Sequence, residues 1–316
     1  MRILVAGGAG FLGSHVCDRL IAAGHRVVCV DNLCTGSIGN LAGVAGHPNF
    51  EFIEADVASA PTREVDVIIH LASPASPVDY DRLPLETMAA NSLGTWRLLE
   101  LARDFGARMT FVSTSEVYGD PLVHPQPETY WGNVDPIGPR SCYDESKRFG
   151  EALLTAFRRT MGVRGGIVRL FNTYGPRMRL DDGRVIPEFI AAAMEGRDLP
   201  IQGDGSQTRS FCFVEDLVDG LLLVALDPGA EGDVFNVGNP AEIAIKDLAQ
   251  AVISVTGASV AVAYGDRRPG DPERRRPDIG KMQARYNWTP KVGLLEGLAL
   301  TIRSHADRSV GGRPAP

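Results

Sequence analysis

Through its first 170 residues the chain alternates short apolar runs with longer segments whose apolar positions recur at helical spacing. Ile3–Ala6 is an apolar run that breaks at glycine. Ser14–Ala23 sets Val16, Leu20 and Ile21 on one helical face, and Gly24 stops it. Arg26–Val30, Phe50–Ile53, Val65–Leu71 and Met109–Ser113 read as further buried strands, the first two ending near Asp31 and Asp56. Helices are expected over about 85–105 and 144–161, with a strand at Gly166–Leu170 after the second. Such alternation predicts an α/β fold, a parallel sheet covered on both faces. After Phe171 glycine and proline become frequent and the alternation lapses, although helical patterns return at Ile186–Glu195, Val214–Ala225 and Lys246–Thr256. The expected organisation is a first domain over 1–171 to which 213–238 returns, a smaller region from 172–212 and 239–306, and a flexible Gly/Pro/Arg-rich tail over 307–316.

Composition narrows the function classes. At roughly 100–200 residues per domain, 316 residues make one large domain or two closely joined ones. Thirty-nine acidic against 32 basic residues give a net charge of −7, so no nucleic-acid surface is implied. No apolar stretch approaches the ~20 residues of a membrane span. The chain opens directly into Arg2-Ile3-Leu4-Val5-Ala6-Gly7 without a secretory pattern, so a cytoplasmic protein without a membrane partner is expected. Cys17, Cys29, Cys34, Cys142 and Cys212 are scattered and form no Cys-x-x-Cys, and the six histidines do not cluster. Neither a disulfide framework nor a metal site is expected.

Chemistry enters at Gly7-Gly8-Ala9-Gly10-Phe11-Leu12-Gly13, between the first strand and the first helix. Glycines at Gly7, Gly10 and Gly13 permit a tight turn and close approach of backbone to a pyrophosphate, which the helix N-terminus attracts. The plain alternative is a glycine-rich turn. Asp31, ending the second strand, is placed to bind the adenosine ribose hydroxyls and to repel a 2′-phosphate, favouring NAD over NADP. Asp56 and Val57 are candidates for the adenine edge, and Leu71 and Ala72 for the groove wall; His70 reads as structural.

Tyr143-Asp144-Glu145-Ser146-Lys147 sets a phenol and an ammonium four residues apart on one helical face. A nearby ammonium, together with a positive nicotinamide, is expected to lower the pKa of the phenol and make Tyr143 a base. Thr114, in Ser113-Thr114-Ser115 at a strand end, is expected to bond the same substrate hydroxyl.

Taken together, the glycine loop, the hydroxylated strand end and Tyr-x-x-x-Lys resemble the extended short-chain dehydrogenase/reductase family of nucleotide-sugar enzymes. Arg169–Arg177 (RLFNTYGPR) and Gly203–Phe211 (GDGSQTRSF) strengthen the likeness. So do Ser73-Pro74-Ala75-Ser76-Pro77, Ser113–Asp120 (STSEVYGD), Tyr130–Val134 (YWGNV), Pro136–Glu145 (PIGPRSCYDE) and Arg274–Ile279 (RRRPDI). It runs from about residue 2 to about 300. Ser146 departs from the glycine common before the lysine, and the C-terminal tail matches nothing.

This resemblance implies a Rossmann-type doubly wound sheet with a smaller, mostly C-terminal substrate region. It implies NAD as cofactor, with Phe11, Leu12 and Asn32 joining the residues named above in binding it. It also implies a UDP-sugar held by Pro74, Ser76, Glu116, Asn172, Arg177, Val185, Gln202, Arg209 and Arg275. The catalytic set is then Thr114, Glu116, Tyr143, Lys147 and Arg275. The likeness is strongest to members that oxidise UDP-glucuronate at C4, lose carbon dioxide, protonate C5 and reduce C4 again. Glu116 beside the substrate carboxylate would disfavour its charged ground state or organise a proton donor, and Arg275 would hold the hexuronate and stabilise enolate charge. Ser115 stands where 4,6-dehydratases of the family carry an aspartic acid, and serine is a poor acid. The alternatives are an oxidative decarboxylase releasing a UDP-4-keto-pentose and NADH, another nucleotide-sugar epimerase or dehydratase, and, from a different class, a non-catalytic NAD-binding sensor or scaffold. Met88, Leu93, Trp96 and Leu99 on one helix and Phe149, Leu153, Leu154 and Phe157 on another cover more than one face. With the resemblance, these imply a homodimer.

Overall fold

The computed structural model describes residues 1–266 and 273–311. Strand β1 (Arg2–Ala6) leads into helix α1 (Phe11–Ala22), followed by β2 (Arg26–Asp31), β3 (Phe50–Glu54) and β4 (Val67–His70). The short helices α2 (Pro77–Arg82) and α3 (Pro84–Ala89) precede a π-turn at Ala90–Gly94 and helix α4 (Thr95–Phe105). Next come β5 (Arg108–Thr114), helix α5 (Ser141–Met161) and β6 (Arg164–Leu170). The remaining chain contributes β7 (Thr173–Tyr174), α6 (Val185–Met194), β8 (Leu199–Gln202), β9 (Thr208–Ser210), β10 (Cys212–Phe213) and α7 (Val214–Leu226). It ends with β11 (Val234–Val237), β12 (Glu242–Ala244), α8 (Ile245–Thr256), β13 (Val262–Gly265), β14 (Arg274–Arg275), α9 (Gly280–Tyr286) and α10 (Leu294–Gly311).

Seven strands form one parallel sheet in the order β3-β2-β1-β4-β5-β6-β11. The order reverses between β1 and β4, which opens a crevice beyond their carboxyl ends. Both faces of the inner strands are buried because those strands are apolar on both sides, whereas the edge strand β3 carries exposed glutamates. Ile3 and Val5 of β1 pack with Val16 and Leu20 of α1 and Leu217 and Leu221 of α7. Leu4 and Ala6, pointing the other way, pack with Leu98 and Leu101 of α4 and Leu154 and Phe157 of α5. The first of these cores continues into the smaller region through Phe189, Leu199 and Leu248. Among the described residues no helix is long and apolar enough to cross a membrane.

Several boundaries differ from the sequence expectation. The helix over 85–105 is instead α3, a π-turn and α4. The widened turn buries Asn91, whose amide donates to Ser73 and Ser146 at 3.0 Å each. Helix α5 begins at Ser141, so Tyr143 lies within its first turn. Helix α10 continues to Gly311, past the expected start of the tail, and residues 312–316 lie outside the described residues.

Candidate active site

One cavity of about 990 Å³ runs along the carboxyl ends of β1, β2, β4, β5 and β6 and is closed by residues of the smaller region. Its first bank is shaped by glycines. Gly7 has φ +83°, and a Cβ there would lie 2.6 Å from the Ala72 nitrogen. A Cβ on Gly13 would come 2.0 Å from the Gly7 carbonyl oxygen, so α1 abuts the turn directly. Gly10 is different: its Cβ would meet only Gly7 O, at 3.3 Å. The protein itself barely needs glycine there; a ligand lying on the turn does. No side chain caps α1 at Gly10, which leaves the first-turn amides, Phe11 and Leu12 among them, without intrahelical partners. These features fit a dinucleotide pyrophosphate.

Asp31 accepts from the Ala9 nitrogen at 2.9 Å and the Leu33 nitrogen at 2.8 Å, which fixes its carboxylate at the end of β2. Burial raises its carboxyl above the usual range, against these backbone N–H groups. Asn32 donates to Asp56 at 2.9 Å, and Asp56 also accepts from the Ala58 nitrogen at 2.8 Å. This braced pair, with Val57, forms the far end of the bank, while Leu71 and Ala72 form its wall after β4.

Tyr143, Thr114 and Lys147 meet where the banks join. Thr114 ends β5 and hydrogen-bonds the Tyr143 phenol. The Tyr143 ring stacks on Tyr80, centroids 5.4 Å apart. Lys147 donates to the Val112 carbonyl at 2.9 Å, with its nitrogen 5.9 Å from the Tyr143 ring centroid. Burial lowers the Lys147 pKa to about 7, although Glu151 opposes this. In the protein alone the Tyr143 pKa is raised. Burial is the main cause, Glu116 and Asp144 add to it, and the bond from Thr114 opposes it. His70 is wholly buried against Thr95 at 3.1 Å, and burial with the Lys147 charge pushes it down to about 3, so it is a neutral structural histidine.

The second bank is built on charge. Glu116, in the single 3-10 turn Ser115–Tyr118 after β5, is gripped by Arg140 through one carboxylate oxygen and by Arg275 through the other. Arg275 also donates to the Gly119 carbonyl at 2.8 Å and is almost fully buried. Burial alone would raise the Glu116 pKa, but Arg140, Arg275 and Arg209 outweigh it and hold the carboxyl below its usual range. Asp144 behind them is pushed up to about 7 by burial and by Glu116, against Arg140 and Arg275.

A nucleotide-binding turn, a Tyr-Lys pair and a largely enclosed carboxylate between guanidiniums therefore share one cleft. The sequence profile of the NAD dependent epimerase/dehydratase family matches residues 3–238. The chain belongs to that family. It is 50% identical over 301 residues to UDP-glucuronic acid decarboxylase 3 of Arabidopsis thaliana, covering 95% of this chain and 87% of the relative. It is 48% identical over 301 residues to UDP-glucuronic acid decarboxylase 1 of Xenopus tropicalis, covering 95% and 71%. A solved UDP-glucose 4-epimerase from Thermotoga maritima superposes with a TM-score of 0.89 at 32% identity, covering 98% of this chain and 100% of that one.

The other candidate residues of this epimerase/dehydratase chain all line the same cleft: Pro74, Ser76, Asn172, Arg177, Val185, Gln202 and Arg209. Three have polar groups engaged within the protein. Ser76 caps α2, donating to Asp79 at 2.7 Å and accepting from the Asp79 nitrogen at 3.2 Å. The Arg177 guanidinium donates to Asp18 on α1 at 2.5 Å. Arg209 is buried and donates to the Thr208 carbonyl at 2.8 Å. The candidate set omitted Arg140 and Tyr80. Arg140 lies three residues before Tyr143 in a segment already singled out, but nothing local signals that it reaches Glu116. Tyr80 follows the capping sequence Ser76-Pro77-Val78-Asp79, whose S-x-x-D spacing is the readable clue to α2.

Proposed function

We propose that this protein decarboxylates UDP-glucuronate to UDP-xylose. The observation that carries the reading is the largely enclosed Glu116 held between Arg140 and Arg275 in the cleft that also holds Thr114, Tyr143 and the glycine turn. Its relatives named as UDP-glucuronic acid decarboxylases, about half identical over nearly the whole chain, support the same substrate. NAD, when bound, supplies the hydride acceptor and donor at the sugar C4 and a positive charge beside the phenol.

Tyr143 and Thr114 hold the C4 hydroxyl, and Tyr143 takes its proton. The raised pKa of the phenol means that it takes this proton only once the ligand charge is in place. Lys147, with a pKa near neutrality, is poised to pass the proton onward. The C4 ketone lies β to the C6 carboxylate, so the electrons left by departing carbon dioxide spread into an enolate. Arg275 stabilises that developing charge, and Glu116 disfavours the carboxylate ground state. Asn172 and Arg209 donate to the diphosphate. The test is incubation with UDP-glucuronate and NAD⁺, with the sugar read by mass spectrometry and NADH by absorbance. A UDP-pentose without net NADH is expected. A UDP-4-keto-pentose with matching NADH would move the assignment to an oxidative decarboxylase, and unchanged substrate would overturn the reading.

We also propose a homodimer. Leu85, Met88, Leu93 and Trp96 on the α3–α4 stretch and Phe149 on α5 are exposed apolar side chains on neighbouring helices. Such a face is expected to be covered by the same face of a second copy. A monomer in sedimentation at micromolar concentration would remove it.

A further inference from the structure

We propose that the segment 177–184 is a latch across the cleft, and that its Arg179–Asp79 ion pair determines whether the reaction ends redox-neutral or oxidative. The inference rests on the decarboxylase reading above. The segment runs from β7 to α6 and touches both sides of the crevice between β1 and β4. On the β1–β2 side, Arg177 bonds Asp18 and Arg179 donates to the Thr35 carbonyl at 3.4 Å. On the β4 side, Arg179 donates to both Asp79 carboxylate oxygens, at 2.9 and 3.1 Å. There Gly183 also lies against Val78, 2.6 Å from where its Cβ would be. The glycine turn and the segment line the same cavity, so a dinucleotide on that turn lies beneath a bridge.

The ends of this bridge are fixed. Arg177 holds φ +71°, a conformation that a non-glycine residue adopts only when its surroundings enforce it. Asp182 is buried and accepts from the Arg184 nitrogen at 3.0 Å and from its guanidinium at 2.9 and 2.6 Å. The anchor is fixed too, because the cap from Ser76 orients the Asp79 carboxylate. The central tie is the Arg179–Asp79 contact, in which one guanidinium nitrogen is shared between both carboxylate oxygens; the acid is almost fully buried and the guanidinium about one-third exposed. A charge-assisted contact made through one guanidinium nitrogen holds the segment and can still reopen.

Residence time then selects the product. Oxidation at C4 moves a hydride from the sugar to the dinucleotide, and the ketone loses carbon dioxide. The proton lost from the C4 hydroxyl is balanced by the one gained at C5. If the reduced dinucleotide stays, the hydride returns to C4, the resulting oxyanion takes a proton supplied from solvent through Tyr143, and UDP-xylose forms. If it leaves first, carbon dioxide, a UDP-4-keto-pentose and NADH are released. A closed latch favours the first route.

The experiment measures NADH dissociation by stopped-flow fluorescence, with UDP present and excess NAD⁺ as trap, and separately the pentose products of turnover. Arg179→Met is expected to release NADH roughly tenfold faster and to raise the share of UDP-4-keto-pentose, with Arg179→Lys in between. Arg82→Met is the control. Arg82 approaches the same carboxylate only at 3.5 Å and from solvent, so this variant should match the parent. Parental NADH release from Arg179→Met overturns the latch, as does a parent protein that itself sheds UDP-4-keto-pentose and NADH. A parent that leaves UDP-glucuronate untouched overturns the decarboxylase reading, while the dissociation rates still judge the latch.

Discussion

The two banks of the cleft are held by opposite means. The cofactor bank depends on missing atoms: Gly7 and Gly13 let three backbone segments approach to distances no side chain would allow. The sugar bank depends on buried charge, with Glu116, Arg140 and Arg275 drawn from three separate stretches of sequence. The glycines that steric exclusion demands fall within one short turn and so leave a local pattern, even where, as at Gly7, the segment they admit is the distant strand end at Ala72. Charge compensation operates across the fold, and each partner alone looks like an ordinary surface residue. The banks should therefore fail differently when altered.

The largest effect is expected at their junction. Tyr143→Phe removes the proton acceptor and should lower kcat by about 10³, with NAD affinity unchanged by titration. A smaller loss would assign the proton to another group. On the cofactor bank, Gly13→Ala should cost about 3 kcal/mol or more in denaturant unfolding, because its Cβ meets backbone at 2.0 Å. Gly10→Ala should cost under about 1 kcal/mol yet weaken NAD binding, because there the ligand requires the space. Equal destabilisation by both would erase the distinction between them. On the sugar bank, Glu116→Gln leaves two guanidiniums, Arg275 buried and Arg140 partly exposed, without their shared anion. Its expected cost of about 3 kcal/mol should come with lost turnover and retained NAD binding.

Two smaller effects carry opposite signs with pH. Lys147 gives up its proton near 7 in the folded protein, whereas the unfolded chain holds it to about 10.4. Its burial therefore penalises folding fully below pH 7 and is relieved as pH rises from about 7 to about 10. Lys147→Met should abolish turnover and yet stabilise the ligand-free protein by about 2 kcal/mol at pH 7. Asp144 keeps its proton to about 7, whereas the unfolded value is about 3.9. Its burial therefore lowers stability as pH rises from about 4 to about 7. Asp144→Asn should flatten that decline, a gain of about 1 kcal/mol at pH 8. A decline equally steep in the variant would assign it to other carboxylates.

What the sequence made legible follows the same division. The glycine turn, Asp31 and the parallel sheet are written in spacing and periodicity, and they stand where expected. Tyr143 and Lys147 share a face because four residues make a helical turn. Their electrostatics were only half legible: an ammonium and a nicotinamide together suggested a lowered phenol pKa, whereas burial, a property of the whole packing, raises it in the protein alone. Glu116 and Arg275 came from likeness to known sequences, and Arg140 escaped because its partner lies 24 positions away. The π-turn at Ala90–Gly94 was hidden for a related reason. A single widened turn shifts the helical phase without erasing the apolar pattern, and its cause, Asn91 reaching Ser73 and Ser146, is tertiary.

Strand β11 has a consequence for the order in which the protein takes shape. It pairs Val234 with Ile167 and Val237 with Leu170, after the chain has left the sheet to build β7 through α7. Until residue 237 has emerged from the ribosome, β6 is an apolar edge with unmet backbone hydrogen bonds, the kind of edge that recruits other chains. A nascent polypeptide truncated anywhere between β6 and β11 should be aggregation-prone, although it already carries the glycine turn and the Tyr-Lys pair.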